Sequence, residues 1–303
     1  MDATIATFLI QDGVTNGAIY ALLGLALVLV FAVTRIIFIP QGEFVAYGAL
    51  SLALLDEGKV PGTAPMLVAF GAAALLLDLW QMRRDFQLSS LVRALAANVA
   101  VPVAIYALLA LTAPLELPSL LRAALAVLLI APMGYYIYRI VYRPLVDASV
   151  LVLLIASLGV HLVMMGLGLV FFGPEGLRAR PLSEDSFMLG PLNVTIQSLW
   201  IYAVTIIIIV GLYLFFEKTL LGKALRATAV NRLGARLVGV RTQLTGVTAL
   251  VLAAIIGAVS GVLIAPVTTI YYDTGFLIGL KGFVAAILGG LGNFPVTAIA
   301  AIG

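Results

Sequence analysis

The stretch EKTLLGKALRATAVNRLGARLVGVR, residues 217–241, lies between two apolar segments, and no other such interval in the chain is as long and as basic. It carries six Lys or Arg residues and one acid, Glu217. Each flanking segment has the length of about 20 residues that is needed to cross a bilayer. Since cytoplasmic loops of membrane proteins are rich in Lys and Arg, the stretch predicts two membrane helices joined on the cytoplasmic side.

The composition indicates that these two helices belong to a larger membrane protein. Hydrophobic residues make up 63% of the chain and charged residues 10%, and the mean hydropathy is +1.18. A soluble domain is about half apolar and a quarter charged. Inside lipid a helix satisfies all backbone groups of one segment by itself. We therefore predict an all-α, polytopic membrane protein with about 8–10 transmembrane helices in a single domain over residues 1–303.

One apolar segment is too short for a regular span. Residues 39–44 read Ile-Pro-Gln-Gly-Glu-Phe, and the apolar run that follows ends at Leu55. Unwound backbone at membrane depth is tolerated only where it lines a cavity or is covered by protein, so this element predicts a short, discontinuous or re-entrant helix. Regular spans of about 20 residues are expected at residues 13–34, 61–79, 91–112, 119–140, 149–172, 197–216 and 245–267.

The C-terminal part is expected to be less regular. The interval from Tyr271 to Lys281 contains the charged residues Asp273 and Lys281 and predicts a polar break, with both charges at the outer interface. A glycine-rich apolar run follows and continues to Gly303. We expect the last helix to be incomplete.

The distribution of Lys and Arg predicts the orientation. If residues 217–241 are cytoplasmic, twelve basic residues lie on that side and five lie outside, which places the N-terminus outside. This count requires the short element before Leu55 to cross, or to be matched by an equivalent break elsewhere. The five outer residues are Lys59, Arg122, Arg178, Arg180 and Lys281.

Several kinds of chemistry are excluded by what the sequence lacks. It has no Gly-x-x-x-x-Gly-Lys-Ser/Thr motif with which to hold and hydrolyse a nucleotide. It has no cysteine, and His161 is its single histidine, so thiolate sites and paired-histidine metal sites are excluded. Ser260, within Gly257-Ala-Val-Ser-Gly261, does not match a nucleophile elbow. We predict no catalytic residue, no metal site and no cofactor in this chain.

Polar residues at membrane depth are candidates for a substrate path because each is costly unless it faces protein or water. We expect Asn16, Gln41 and Glu43 to cluster around the broken second element and to line such a path, with the helix ends at the break offering backbone groups to a polar solute. The alternative is that Gln41 and Glu43 only cap a helix end at the interface. For His161 we favour an interhelical hydrogen bond.

The basic stretch 217–241 has two interpretations. As an ordinary cytoplasmic loop, it would rest on anionic lipid head groups. Its pattern is richer than a run of charge, however, because Leu221 and Leu225 share one helix face, as do Leu233 and Leu237, and Asn231 stands where two short helices could join. Two short helices with an apolar stripe and no core of their own favour a docking surface for a cytoplasmic partner.

These residues resemble a known family, the permease subunits of bacterial ATP-binding-cassette importers for branched-chain amino acids, and among them the LivH type, the first of two paired permeases. The resemblance extends over nearly the whole chain. The matching stretches are Thr15-Asn-Gly-Ala-Ile-Tyr-Ala-Leu22, Gln41-Gly-Glu-Phe44, Tyr142-Arg-Pro-Leu145, Ser157-Leu-Gly159, residues 217–239, Gly275-Phe-Leu-Ile-Gly-Leu-Lys-Gly-Phe283 and Leu288-Gly-Gly-Leu-Gly-Asn293.

The resemblance implies a multi-pass protein of the bacterial inner membrane that provides the translocation path for branched-chain amino acids or a related amide, urea or organic acid. It implies a second related permease, two cytoplasmic ATPase subunits that carry ATP and Mg, an extracytoplasmic solute-binding protein and membrane lipid as partners, and no nucleic acid. Residues 217–241 then correspond to the cytoplasmic coupling loop. Its candidate ATPase-coupling residues are Gly222, Arg226, Asn231, Arg232 and Gly239.

The chain also departs from the family pattern. It is longer between Leu55 and Arg139, where an extra helical hairpin is expected around residues 78–112. An alternative function, a stand-alone ion-coupled secondary transporter, would use Glu43, Asp273 and His161 as coupling groups.

Overall fold

The structure is a computed structural model that describes residues 3–82, 88–183, 185–189 and 192–302. Within those residues, seven helices are long and apolar enough to cross a membrane, and Thr274–Leu288 is a shorter apolar helix. The seven are Thr7–Thr34, Thr63–Met82, Leu88–Thr112, Ser119–Tyr142, Val150–Phe172, Ile196–Lys218 and Thr242–Ile264. The chain is therefore an all-α polytopic membrane protein, as the sequence predicts.

Most of the helices follow one another with short connections, and a longer one that contains two strands joins α7 to α8. They are α1 (Ala3–Thr34), α2 (Gln41–Asp56), α3 (Thr63–Met82), α4 (Leu88–Leu95), α5 (Val101–Thr112), α6 (Ser119–Ile137), α7 (Val150–Phe172), α8 (Ile196–Lys218), α9 (Leu220–Val230), α10 (Arg232–Leu237), α11 (Thr242–Ile264), α12 (Thr274–Leu288) and α13 (Phe294–Ile302). One π-helical turn, Ala96–Ala100, joins α4 to α5, and a second, Tyr138–Tyr142, extends α6. Strands β1 (Ser186–Leu189) and β2 (Leu192–Thr195) pair antiparallel, with Ser186 opposite Thr195.

The second element is the short, discontinuous helix that the sequence predicts. Arg35, with φ at 62°, ends α1, and the chain stays non-helical until α2 begins at Gln41. The amide nitrogen of Ile39 donates to Ser157 Oγ at 2.9 Å, which satisfies part of this unwound backbone. The Gln41 side chain reaches the carbonyl of Ala253, which is the middle residue of the 23-residue α11. Helix α2 therefore starts near mid-membrane depth.

Helix α2 lies at the centre of the core, packed against α6, α11 and α12. Nearly all of its residues are buried. The approach to α12 is close, because a Cβ added to Gly42 would lie 1.8 Å from the carbonyl oxygen of Gly275. A Cβ added to Gly261 of α11 would lie 2.1 Å from the carbonyl oxygen of Val45. Small residues thus let three helix backbones meet, which is how membrane helices gain packing contacts.

The expected hairpin around residues 78–112 consists of the end of α3 and the pair α4–α5, and a buried polar cluster joins it to α6. Arg139 Nη2 lies 2.6 and 2.7 Å from the two carboxylate oxygens of Asp78. Asn98, within the π-helical turn, donates to the same carboxylate at 2.7 Å. One guanidinium nitrogen thus contacts both carboxylate oxygens, and hydrogen bonds between two charged groups are stronger than those between neutral groups. Residues 83–87 lie outside the described part of the chain.

Two predictions about the C-terminal part are corrected. The expected polar break from Tyr271 to Lys281 is limited to residues 271–273, because α12 begins at Thr274 and Lys281 is the middle residue of this 15-residue helix. Lys281 is the sole charged residue of α12, so the apolar residues around it decide the local structure. The following apolar run is broken after Leu288 by a turn in which Gly290 and Leu291 have φ values of 70° and 54°. That the last helix is incomplete stays a prediction.

Polar contacts mark two opposite ends of the bundle. At one end, Asp56 binds Arg122 at 3.2 Å and accepts a hydrogen bond from the backbone of Arg180 at 2.9 Å. At the other end, Arg232 donates to the carbonyl of Val146 at 3.2 Å, between α6 and α7. Helices α9 and α10 therefore lie at the end opposite Asp56. This arrangement agrees with the threading that the Lys and Arg count requires, in which α1 and the short α2 together return the chain to the first side.

Candidate functional site

The unwound entry to α2 carries a buried polar cluster. Gln41 and Glu43 are fully buried, and Gln41 Nε2 donates to the carbonyl of Ala253 at 3.0 Å. Glu43 Oε1 lies 2.9 Å from Nδ1 of His161 on α7. Pro40 is the residue before α2, and no side chain caps this helix end. The alternative in which Gln41 and Glu43 are interfacial caps is therefore wrong, because both side chains point into the protein core.

The cluster has unused hydrogen-bonding capacity. Among the described residues, Gln41 Oε1 and both carboxylate oxygens of Glu43 have no hydrogen-bond partner, although Glu43 Oε1 contacts His161 Nδ1. A buried carboxylate is costly unless it is paired, and the imidazole of His161 is the ionisable group that lies against it. Phe276 of α12 covers His161, with ring centroids 4.9 Å apart. The cluster therefore has acceptor oxygens whose chemistry suits a cationic group.

Asn16 does not belong to this cluster, although the sequence groups it with Gln41 and Glu43. It is half-buried on α1, and its amide donates to the carbonyl of Asp12 at 3.0 Å. Helix α1 packs mainly on α11, α12 and α13, and makes few contacts with α2. The reason is the unwound segment after Thr34, which carries α2 to the far side of α12. That all three residues line a substrate path stays a prediction.

One cavity lies beside the polar cluster, and another lies at an end of the bundle. An apolar cavity of about 180 Å³ lies beside the unwound segment and is lined by residues that include Leu27, Phe38 and Phe276. A polar cavity of about 430 Å³ lies at the end of the bundle that carries Asp56 and is lined by residues that include Asp12 and Gln197. The sequence predicts the first cavity through its broken helix. The second depends on a long loop and could not be anticipated.

The basic stretch forms the two short helices that its pattern predicts. Thr219 precedes α9 and accepts a hydrogen bond from the amide of Gly222 at 2.9 Å. Asn231 separates α9 from α10 and accepts a hydrogen bond from the amide of Gly234 at 2.9 Å, as a typical N-cap residue does. A Cβ at Gly222 would lie 2.1 Å from the carbonyl oxygen of Phe215, so this glycine permits the sharp corner between α8 and α9.

Three of the four arginines of this stretch contact other residues of the chain. Arg226 donates to the carbonyl of Phe216 at 2.9 Å and to Glu217 at 3.0 Å. Arg232 reaches the α6–α7 connection, as described above, and Arg236 Nη2 lies 3.9 Å from Asp147 in the same connection. Gly239 has φ at 87°, a conformation that favours glycine, and ends α10 in a turn. Of the five candidate coupling residues, each has a local structural role, and their contact with an ATPase stays a prediction.

The apolar side chains of α9 and α10 divide into two groups. Leu225 is fully buried against Leu29 and Val33 of α1, a contact that the sequence pattern did not identify. Others are exposed, with Leu237 at 81% of its full surface. The exposed group comprises Leu220, Leu221, Val230, Leu233 and Leu237, with Val238 directly after α10. Helix α9 is thus docked on the membrane helices, while the far side of α9 and α10 presents an uncovered apolar surface, which we name the α9–α10 face.

Two contacts that position the membrane cluster could not be predicted from the sequence. The first is the pair formed by Glu43 and His161; His161 was expected to make an interhelical bond, but its partner could not be named. The second is Ser157, whose hydroxyl binds the unwound backbone at Ile39. The available signal was that Ser157 and His161 are four residues apart, and so lie on one face of α7.

Comparison with known proteins gives one family and several relatives. The model of the family described as "Branched-chain amino acid transport system / permease component" matches residues 86–302, more than two thirds of the chain. The match includes the basic stretch and α12, and it begins after α1 and α2. No solved structure matches the chain.

The relatives carry related names. The chain is 29% identical over 188 residues to the high-affinity branched-chain amino acid transport system permease protein BraD of Pseudomonas aeruginosa, covering 59% of this chain and 61% of that protein. It is 27% identical over 176 residues to LivH of Escherichia coli, covering 56% and 57%. It is 29% identical over 140 residues to the autoinducer 2 import system permease protein LsrC of Shigella flexneri, covering 46% and 40%. The matched part spans about three fifths of the first of these relatives.

Proposed function

Because the chain belongs to the family of branched-chain amino acid transport permease components, we propose that it is the transmembrane subunit of an ATP-binding-cassette importer. The solute is a branched-chain amino acid or a related small polar molecule such as an amide, urea or organic acid. The protein is a multi-pass protein of the bacterial inner membrane with its N-terminus outside. Its own residues bind and guide solute, and ATP and Mg belong to partner subunits.

The observation that carries this proposal is the α9–α10 face. Helix α10 exposes Leu233 and Leu237 to 69% and 81% although the protein has a well-packed core elsewhere. Exposed apolar surfaces rimmed by basic residues mark sites for protein partners. A cytoplasmic ATPase subunit is the partner that this face fits, since the sequence of the chain has no nucleotide-binding motif of its own.

The contacts of α9 and α10 provide a route for mechanical coupling. Leu225 connects α9 to the inner end of α1, and Arg232 connects α10 to the α6–α7 connection. Helix α11 begins at Thr242, which accepts a hydrogen bond from Arg236 at 3.0 Å. A displacement of α9 and α10 by an ATPase therefore acts on α1, α6, α7 and α11 together. Such a rigid-body movement can open the path alternately to each side.

The membrane cluster suits a small amphipathic solute. The apolar cavity beside Phe38 and Phe276 accepts an aliphatic side chain, and the acceptor oxygens of Gln41 and Glu43 suit an ammonium group. A second related permease would complete the path on the open side of the bundle, and an extracytoplasmic solute-binding protein would deliver the solute to the outer end.

A second candidate function is a stand-alone ion-coupled transporter. The observation that favours it is the contact of 2.9 Å between Glu43 and His161, a titratable pair at membrane depth. In that case Glu43 and His161 would carry the coupled proton, and Asp273, the residue before α12, would join them. The same pair also serves a purely structural purpose, because it holds the short α2 against α7.

One uptake experiment separates the two functions. The chain is reconstituted in vesicles with its second permease, ATPase subunits and solute-binding protein, and uptake of radiolabelled L-leucine is measured. We expect uptake that requires ATP and is insensitive to a proton ionophore. Uptake that persists without ATP when a proton gradient is imposed would support the ion-coupled transporter and contradict the importer.

A further inference from the structure

Lys281 occupies an unusual place in the fold. It is the middle residue of α12 and is exposed, whereas most charged residues of the described chain lie at the two ends of the bundle. Its ammonium nitrogen lies 3.0 Å from the hydroxyl of Tyr20 and 5.0 Å from the centre of that ring. Tyr20 lies halfway along the span Thr7–Thr34. The ammonium group is therefore held near the middle of the membrane.

An exposed ammonium group at this depth cannot face lipid without a large cost, so protein or water must cover it in the assembled protein. Within the described residues, no carboxylate forms an ion pair with Lys281. Tyr20 offers a hydroxyl and the face of its ring, which orient the ammonium but do not neutralise it. The positive charge is thus available to an anion.

A line of polar side chains on α1 leads to this ammonium group from the outer end. Asp12, Asn16 and Tyr20 follow one another at intervals of four residues and so share one side of the helix. Asp12 also lines the polar cavity of about 430 Å³ at the end of the bundle that carries Asp56. Asp12 is exposed, and Asn16 and Tyr20 are half-buried. A row of polar side chains along one side of a membrane helix is what a path for a hydrated solute requires.

We propose that Lys281, oriented by Tyr20, binds the carboxylate group of the translocated solute on the face of α1 and α12 that the second permease covers. This proposal rests on the proposed function and specifies the solute as a carboxylic acid. The polar line on α1 favours a solute over a fixed acid of the second permease, because a fixed ion pair needs no polar route to the membrane surface.

The first test measures access to position 281. The chain has no cysteine, so single variants Lys281→Cys and Tyr20→Cys report on one site each. Ile207→Cys is the matched control, because Ile207 is the middle residue of α8 and is 67% exposed. In the complete transporter in nanodiscs, we expect a water-soluble methanethiosulfonate reagent to label positions 281 and 20 at least about tenfold faster than position 207, since a thiol reacts as its ionised, hydrated form.

The second test measures the carboxylate contact. We expect Lys281→Met to lower ATP-driven L-leucine uptake about tenfold or more. The reason is that methionine cannot form the hydrogen bond to the charged carboxylate. Lys281→Arg should keep uptake within about threefold, because it keeps the charge. Both variants should assemble with the second permease and the ATPase subunits, which gel filtration of the purified complex measures.

Each contrary result is distinct. If position 281 is labelled no faster than position 207, or if Lys281→Met fails to assemble with the second permease, Lys281 does not bind solute. Equal uptake by Lys281→Met and the unsubstituted protein overturns the proposal as well. If the unsubstituted complex shows no ATP-driven uptake, the importer function is contradicted, and the labelling rates still decide whether Lys281 faces an aqueous path.

Discussion

Helices α2, α9 and α10 are all short, but α2 is buried within this chain, whereas α9 and α10 leave an apolar face exposed. Helix α2 is buried within this chain, with Gly42 against Gly275 and Glu43 beside His161. The pair α9–α10 buries Leu225 alone among its large apolar side chains and leaves the α9–α10 face open. A short helix in membrane surroundings thus needs neighbours on all sides. The neighbours of α2 are in this chain, whereas the partner that we propose for the exposed face of α9–α10 is another protein.

The largest expected effect comes from closing the space around α2. Gly42→Val should prevent recovery of folded protein, because the Cβ of the new side chain would lie 1.8 Å from the Gly275 carbonyl oxygen. Overpacking of this severity costs about 3 kcal/mol or more. Gly211→Val in α8 is the matched control, since no atom lies within 4 Å of a Cβ built there. Fluorescence-detected gel filtration checks both variants. A monodisperse Gly42→Val protein would contradict the packing of α2.

A smaller loss is expected when the polar anchor of α2 is removed. Glu43→Ala should lower the free energy of unfolding by about 3 kcal/mol, because a buried pair loses one partner. His161→Ala should have a similar effect, and the double variant should cost less than the sum of the two. Thermal melting in detergent measures this cycle. Additive effects would mean that the contact between Glu43 and His161 contributes no coupling energy.

Shortening Leu225, the buried residue of α9, tests how much of the stability of α9 comes from contacts within this chain. Leu225→Ala should cost about 2 kcal/mol, because it removes a fully buried side chain at the edge of the core. Leu221→Ala is the control, since Leu221 is 48% exposed on the same helix. Hydrogen exchange should increase in α9 and at the inner end of α1 for the first variant alone. Unchanged exchange in α1 would argue against the contact with Leu29.

The smallest effect on folding is expected on the α9–α10 face. Leu237→Asp should change stability by less than about 0.5 kcal/mol, because the side chain is exposed. Solute-stimulated ATP hydrolysis by the complete transporter should nevertheless fall about tenfold, because the variant places a charge in the proposed interface with the ATPase. Gly239 is a poorer choice, since its φ of 87° adds backbone strain to any substitution. Normal stimulation in Leu237→Asp would show that the α9–α10 face has no role in coupling.

Much of the fold could be predicted from the sequence, because long apolar segments and the break at Pro40 report directly on helices in lipid. The errors occur where one residue contradicts its surroundings. Lys281 was assigned to a polar break, but the apolar residues around it form a helix in which its long side chain reaches Tyr20. The turn at Gly290 was missed because an apolar run gives no sign of a left-handed residue such as Leu291.

The site was predicted less completely than the fold. Gln41 and Glu43 could be found because polar residues are costly in an apolar segment. The separation of Asn16 from these two residues could not be predicted, because the path of the unwound segment before Gln41 determines on which side of α12 helix α2 lies. The partner of Glu43 depends on contacts between residues 118 positions apart, and periodicity within one helix does not specify them.

The measurement that tests the central claim most directly is disulfide cross-linking from the α9–α10 face. Leu237→Cys provides the single thiol of this chain, and a matching cysteine scan is placed on the surface of the ATPase subunit. We predict cross-links in the assembled transporter whose yield changes between the nucleotide-free and ATP-bound states. Labelling of Leu237→Cys by an impermeant reagent added outside intact cells, or the absence of any cross-link to the ATPase, would contradict the account.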